Sequence, residues 1–392
     1  MKKRIRKLPK VLVTVDPARA SGRDFIAGVA DYSKSFGPWQ FQWEPDGLQG
    51  LSGHWRNHDF DGVIMRDLPE IDPLIESGLP AVVLLHKRAD VAGAICVDTD
   101  DRGLSVAAAR HFLQRGFRHF AFVGRVDGLW SVNREVEFSK AVEAAGHTVD
   151  TFQIPISEGV RGDSRFMQDQ LRPWFKSLPK PLALMGANDG FARLVLDLCE
   201  LEGLKVPEDC AVLGVGDDAV LCELCHKPLT SIQLGFRRSG YQAAASLDAW
   251  MRRKVFDCRH ISVRVRNLVT RQSSDVFAIK DTALTKALHY MMANVDQPIC
   301  VDAVASYAGL SKRVLERRFK GYANTSIIKY HRKMRVQRIA QILSTGNAGL
   351  EQIAEHFGFT DSAHLSKVFK ANMGESPSQY RKRFTTPLVG ES

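Results

Sequence analysis

The sequence predicts an α/β, two-lobed N-terminal part followed by an all-α part carrying two helix-turn-helix units. Three observations predict it. From about residue 9 to 272, short β-branched runs alternate with helical patterns, which means a mostly parallel sheet with helices on both faces. The last hundred residues contain two copies of one local pattern: a short helix, a glycine, a capping residue and a basic helix. The charge divides between these parts. Residues 282–392 hold 16 Lys+Arg against 8 Asp+Glu, residues 11–281 hold 32 against 36, and the first ten residues add six more positive charges. The net charge of +10 is thus concentrated where a polyanion would bind.

In chain order, the expected strands are Val11–Val15, Gly62–Met65, Ala81–Leu85, His119–Gly124, Ala183–Ala187, Ala211–Gly216 and Ser231–Leu234. Amphipathic helical stretches fall between them at Gly22–Lys34, Asp101–Arg115, Arg134–Ala145, Asp189–Glu202 and Arg238–Arg252. About 260 residues of this kind make two lobes more naturally than one. In open α/β sheets ligands bind beyond the carboxyl ends of the strands, so the expected pocket is the cleft between lobes. The polar stretch 273–281 lacks a period and reads as a linker; helical pattern resumes at Thr282 and gives a domain over 282–385.

In that domain, Gly309 and Gly358 allow the left-handed turn of each helix-turn-helix, with Ser311 and either Thr360 or Asp361 opening the second helix. Lys312, Arg313, Glu316 and Arg317 fall on the exposed face of the first recognition helix, and Ser362, His364, Ser366 and Lys367 on that of the second. Arginine can pair with guanine O6 and N7, and glutamate can accept from cytosine N4. Arg335, Arg338, Lys370 and Arg381–Arg383 read as phosphate neutralisers or surface charge. Val304, Ala308, Leu310, Leu315 and Phe319, with Ile353, Phe357, Phe359, Leu365 and Phe369, read as core. A helix over roughly Ser326–Ser344 joins the two units and spans about 30 Å, close to the ~34 Å between successive major-groove faces.

The run from Ile353-Ala354 through Gly358-Phe359, Leu365-Ser366, Phe369-Lys370 and Gly374 to Ser376-Pro377-Ser378-Gln379-Tyr380-Arg381 resembles the signature of AraC-type DNA-binding domains, over about residues 282–384. The resemblance implies that Arg313, Glu316, Arg317, Ser362, Ser366 and Lys367 read bases, the second unit less strongly because Ser362 and Ala363 are small. Its departure is Gly321-Tyr322-Ala323-Asn324-Thr325, where the usual glycine-containing loop is altered.

The N-terminal part resembles the sugar-binding core of LacI-type regulators and of periplasmic binding proteins. The matching pieces are Val97-Asp98 with Arg102-Gly103, Phe117–Gly124, Ala187-Asn188-Asp189-Gly190, Val206–Asp209, Val212–Asp218 and Pro228–Ile232. Gly216 stands where those families carry an aromatic. The order of parts resembles that of the xylose-operon regulators. It implies a periplasmic-binding-protein-like sensor over 9–272, with Asp16, Trp130, Arg134, Asn188, Asp189 and Asp217 as ligand-binding residues. Carboxylates and arginine suit paired hydroxyls, and an aromatic plate suits a sugar's C–H face. Asp189 or Asp217 as a helix cap, and Trp130 as a core aromatic, are the competing readings.

The expected function is therefore a sugar-responsive transcription regulator, an activator of pentose genes sensing D-xylose; a repressor, or a sensor of arabinose, ribose or a hexose, is the alternative. The expected partners are operator DNA, the sugar, a second copy of the chain and RNA polymerase, in the cytoplasm. A basic start with no apolar run behind it does not read as an export signal, and no stretch of about 18 apolar residues suggests a membrane span. No P-loop, nucleophile elbow or dinucleotide fingerprint suggests an enzyme. No cofactor or metal is expected: Cys222-Glu223-Leu224-Cys225-His226 matches a haem-attachment spacing by chance, and no second pair completes four zinc ligands.

Overall fold

The structure is a computed structural model that describes residues 8–45, 60–67, 71–155, 164–253, 259–278, 281–345 and 348–384. The basic start before Leu8 and part of the expected linker lie outside the described residues. The chain divides into two compact units, Met1–Gln114 with Arg118–Val276, and Arg115–Phe117 with Phe277–Ser392.

The first unit holds twelve described strands: β1 (Lys10–Val13), β2 (Gln40–Trp43), β3 (Gly62–Arg66), β4 (Ala81–Leu84), β5 (Ile95–Thr99), β6 (His119–Arg125), β7 (Val149–Ile154), β8 (Leu182–Gly186), β9 (Cys210–Val215), β10 (Thr230–Leu234), β11 (His260–Val263) and β12 (Val265–Val269). They form two six-stranded sheets, in the order β11-β5-β4-β3-β1-β2 in lobe 1 and β12-β10-β9-β8-β6-β7 in lobe 2. Pairing is parallel throughout lobe 1, and only β12 runs antiparallel in lobe 2. Central strands such as Val11-Leu12-Val13 and Ala81–Leu84 are buried on both faces, because helices cover each side of a parallel sheet. The chain passes between lobes three times, after β5, after β10 and between β11 and β12. The crossing strands bond to one another, with Asp100 N–H donating to Val263 O at 3.0 Å and Gly235 N–H to Arg264 O at 2.9 Å.

In lobe 1 the helices Ala20–Phe36 and Phe236–Arg253 lie in close contact along their lengths. A Cβ on Gly28 would stand 1.9 Å from Arg237 O, and one on Gly240 2.1 Å from Phe25 O. Only glycine permits backbones to approach so closely.

The second unit has two hydrophobic cores. The first gathers Phe277, Leu284, Leu288 and Met291 with Val304, Leu315, Phe319 and Ile327; the second gathers Val336, Ile339, Leu343, Ile353, Phe357, Leu365 and Phe369. The helix Ile327–Thr345, 19 residues and about 28 Å long, contributes to both.

Residues 273–278 differ from the reading of 273–281 as a linker. Ser273 and Ser274 are fully buried in the first unit, where Ser273 Oγ donates to Val212 O at 2.6 Å and accepts from Thr230 N–H. Phe277 belongs to the core of the second unit. Small hydroxyl residues read as linker because their hydrogen bonds reach strands some 40–60 residues away, which local composition cannot register.

Candidate functional site

The carboxyl ends of both sheets meet across the interlobe cleft. Lobe 1 supplies Asp16 after β1, Arg66 and Asp67 at the end of β3, and His86 after β4. Lobe 2 supplies Arg125 at the end of β6, Asp127 and Trp130 after it, Asn188 after β8, and Asp217 and Asp218 after β9. Arg66, Asp67, His86, Arg125, Asp127 and Trp130 interact as one constellation, with Asp16 acting on Arg66. Burial pushes the His86 imidazole down to about 4, with Arg66 and Arg125 adding to the depression while Asp67 and Asp127 oppose it. Burial likewise disfavours the Arg66 charge, which Asp16 and Asp67 support. The ring of His86 lies 5.8 Å from that of Trp130, and Leu129 N–H donates to His86 O at 3.0 Å, so the lobes touch here. Three buried polar atoms of the constellation, Arg66 Nε, Asp67 Oδ1 and Trp130 Nε1, have no hydrogen-bond partner among the described residues. Unmade hydrogen bonds in a buried site are costly, which marks the place where a polar ligand gains most.

A second bridge crosses the cleft beside it. Asp218 Oδ2 accepts from Arg23 Nη2 at 2.8 Å and from Ala20 N–H at 3.0 Å, both in lobe 1. These contacts hold the Asp218 carboxyl below the usual range, against the opposing effect of burial.

The six residues expected to bind ligand are distributed more unevenly. Trp130 stands in the constellation. Asp16 is exposed and accepts from Ala18 N–H at 2.7 Å. Asn188 caps the helix Asp189–Leu201, accepting from Phe191 N–H at 3.1 Å. Arg134 is buried and bonded on all three nitrogens: Nε to Asp101 Oδ1 at 2.9 Å, Nη1 to Ala187 O at 2.6 Å and Nη2 to Thr99 Oγ1 at 3.2 Å, with its guanidinium 4.9 Å from the Trp130 ring centre. It ties the first interlobe crossing to lobe 2 and backs Trp130. Asp189 is buried, accepts from Ser231 Oγ at 2.5 Å and from Asp218 N–H at 2.9 Å, and braces the loop after β9. Burial pushes its carboxyl up to about 6. Asp217 has φ 51° and accepts from Arg271 Nη1 at 2.9 Å, with 8% of its side chain exposed.

Arg66, Asp67, His86, Arg125, Asp127 and Asp218 are not among the residues that sequence reasoning singled out. Their signal was available for two of them: Arg66 and His86 are the first strongly polar residues after the apolar runs Val63–Met65 and Ala81–Leu85. A separate surface depression on lobe 2, lined by Glu200, Lys205, Glu208 and His226, includes none of the cleft residues.

In the second unit, Gly309 (φ 70°) and Gly358 (φ 63°) make the left-handed turns, and Asn324 (φ 48°) does the same at the altered loop before the connecting helix. Asp361, not Thr360, caps the second recognition helix, accepting from His364 N–H at 2.6 Å. Arg313, Glu316 and Arg317 are exposed on Lys312–Ala323 and form no ion pair among the described residues. Lys312 is engaged at 3.0 Å with Asp302. On Ser362–Met373, Lys367 is exposed and Ser366 half-buried, Ser362 Oγ donates to Glu351 Oε1 at 3.0 Å, and the His364 ring packs edge-on to Phe359 at 5.4 Å. The first recognition face is therefore the more open and more charged. Arg335 donates to Phe357 O and lies 4.8 Å over the Phe359 ring, and Arg381 donates to Ala348 O. Both brace the fold, unlike the surface charges expected from sequence.

Comparison with known proteins separates the same two parts. A periplasmic binding protein-like domain matches residues 109–274 and a helix-turn-helix domain matches 304–383. The Xylose operon regulatory protein of Escherichia coli is 24% identical over 384 residues, covering 95% of this chain and 96% of that one; its counterpart in Haemophilus influenzae is also 24% identical, covering 95% and 98%. The solved structure of a xylose-binding transcription activator matches with a TM-score of 0.60 at 24% identity, over 97% of this chain and 99% of that one. Both domains are present, in the same order and over nearly the full length of these relatives, so the chain is a transcription regulator built like the xylose operon regulatory proteins, with a periplasmic binding protein-like domain followed by a helix-turn-helix domain.

Proposed function

We propose that this regulator binds D-xylose in the interlobe cleft and, as a homodimer on operator DNA, activates pentose-use genes through RNA polymerase in the cytoplasm. The observation that carries the sugar reading is the cleft constellation: unbonded donors on Arg66 and Trp130, an unbonded acceptor on Asp67, and an indole beside them. Alternating donors and acceptors around an aromatic plate suit a ring of hydroxyls with an apolar face. D-xylose is preferred because the relatives carry that sugar in their names. Asp16, Trp130 and Asn188 contact the sugar alongside Arg66 and His86, while Arg134, Asp189 and Asp217 hold those residues in place. Lys312, Arg313, Glu316 and Arg317 read the stronger half-site, and Ser362, His364, Ser366 and Lys367 the weaker.

Ligand closure would redistribute the two lobes between open and closed forms. Among the described residues no helix is long and apolar enough to cross a membrane. A thermal-shift series with D-xylose, L-arabinose, D-ribose and D-glucose tests the reading. Sugar at 100 times its Kd adds about 2.7 kcal/mol of stability. Stabilisation by D-xylose alone supports it; a larger effect of another sugar reassigns the effector, and no response to any sugar overturns the cleft assignment.

A further inference from the structure

The outer edge of lobe 1 carries a cluster that neither the cleft nor the DNA-reading helices use. His260 opens β11 and lies in register opposite Cys96 on β5. Asp90 stands in the segment leading into β5. One donor atom each from Asp90, Cys96 and His260 falls within 4.8 Å of the other two. Asp90 Oδ1 is 3.3 Å from Cys96 Sγ and 3.3 Å from His260 Nε2. A tetrahedral zinc with bonds of about 2.3 Å to sulfur and 2.0–2.1 Å to nitrogen or oxygen sets neighbouring donors roughly 3.3–3.6 Å apart. Two of the three edges thus already have the length a bound ion would impose.

We propose that Asp90, Cys96 and His260 form a site for a thiophilic divalent cation of the zinc class. The donor set of thiolate, imidazole and carboxylate selects such an ion over magnesium or calcium, which prefer all-oxygen cages. The surroundings hold the ligands as metal sites do. Val91 N–H donates to Cys96 Sγ at 3.3 Å and fixes where the sulfur points. Arg259 Nη2 lies 3.5 Å from Asp90 Oδ2, which occupies the second carboxylate oxygen and leaves Oδ1 to the ion. Binding replaces the hydrogen bond from the Cys96 thiol to Asp90, and the thiol proton leaves to solvent. Cys96 is buried, whereas the Asp90 and His260 side chains are 45% and 44% exposed, so an ion can enter from water and keep a water as its fourth ligand. Occupancy would clamp β11, which leads into the last interlobe crossing, to the segment before β5.

The test uses the full chain, stripped with chelator and titrated with Co²⁺, then with Zn²⁺ in competition and Mg²⁺ as a control. The expected result is one equivalent of cobalt with a thiolate-to-metal charge-transfer band, displaced by Zn²⁺ and unaffected by Mg²⁺. Cys96→Ser should abolish the band. His260→Gln and Asp90→Asn, at exposed positions where folding is not at stake, should each weaken binding by more than about 100-fold, since outer-shell partners alone are worth about 10–100-fold. Absence of the band in the wild type overturns the site. So does a band that survives Cys96→Ser, or an affinity unchanged in both His260→Gln and Asp90→Asn.

Discussion

Replacing Arg134 by methionine separates a brace from a ligand contact. The side chain and its carboxylate partner Asp101 are 7% and 10% exposed, so water screens the pair little. Methionine matches the aliphatic stem and keeps contact with Trp130 but removes every donor. It leaves the Asp101 carboxylate without its cation, Ala187 O without the donor at 2.6 Å and Thr99 Oγ1 without the one at 3.2 Å. Breaking a buried ion pair from one side costs about 3–5 kcal/mol, and an orphaned buried carbonyl about 1–3 kcal/mol. The losses share one cavity and do not add, so about 4 kcal/mol is expected. For a unit of this size, with about 2–4 °C per kcal/mol, Tm falls by about 8–16 °C. All six tryptophans precede residue 277, so their fluorescence during thermal and urea unfolding of the full chain reports the first unit selectively. Adding Asp101→Asn should recover part of the loss, because the uncompensated charge causes much of it. If Arg134→Met instead unfolded within about 1 kcal/mol of wild type while sugar affinity collapsed, the three hydrogen bonds would be incidental. Arg134 would then be a ligand contact.

Other outcomes follow from the same geometry. Asp218→Asn breaks the pair with Arg23 across the cleft; that pair is partly exposed, so stability should change by less than about 1 kcal/mol, while isothermal titration shows weaker sugar binding. Unchanged sugar affinity would remove the bridge from the closing motion. Two buried groups oppose one another with pH. His86, at about 4 folded against an ordinary 6.5, stays neutral in the fold and makes stability fall as pH drops from 6.5 to 4; Asp189, raised from 3.8 to about 6, makes stability fall as pH rises through that interval. Relative to wild type, Asp189→Asn should therefore be more acid-labile and His86→Gln less so, as read by urea midpoints at pH 4.5 and 7. Arg313→Ala should weaken cognate DNA binding by about 1–3 kcal/mol and relax preference at one base pair in a titration across site variants; a uniform loss on all sites would make it a phosphate contact. Arg335→Ala should lower the Tm of the second unit without changing the salt dependence of DNA binding, because its guanidinium is committed to Phe357 O and Phe359.

The helix-turn-helix faces were legible because everything that builds them is local. Gly309, Ser311 and the apolar spacing of Leu315 and Phe319 fix which side of Lys312–Ala323 is open, so Arg313, Glu316 and Arg317 could be read off within a dozen residues. The same locality failed at Arg335, whose acceptor Phe357 O lies 22 positions on. In the first unit, strands buried on both faces announced themselves as apolar runs. The strands overlooked were Gln40–Trp43, Val149–Ile154, His260–Val263 and Val265–Val269, which lie at or beside sheet edges and mix polar with apolar residues, and Ile95–Thr99, which is short and ends polar. The cleft was half legible. Strand ends point to it, but whether a polar residue there faces the opening or is consumed within depends on partners such as Ser231 for Asp189 and Arg271 for Asp217, 42 and 54 residues away. Cys96 and His260 meet only through strand pairing across 164 positions, beyond any spacing rule.

The late arrival of β11 has a consequence for synthesis. β5 is complete at Thr99, but the strand that covers its outer edge begins at His260, after every strand of lobe 2 except β12 has been made. At about 5–20 residues per second, the intervening chain takes roughly 8–33 s to emerge. During that interval a nascent lobe 1 displays an unpaired strand, the kind of edge that recruits strands from neighbouring chains. Ribosome-bound chains ending near residue 250 should therefore depend on chaperones, and chains extended past β12 should not.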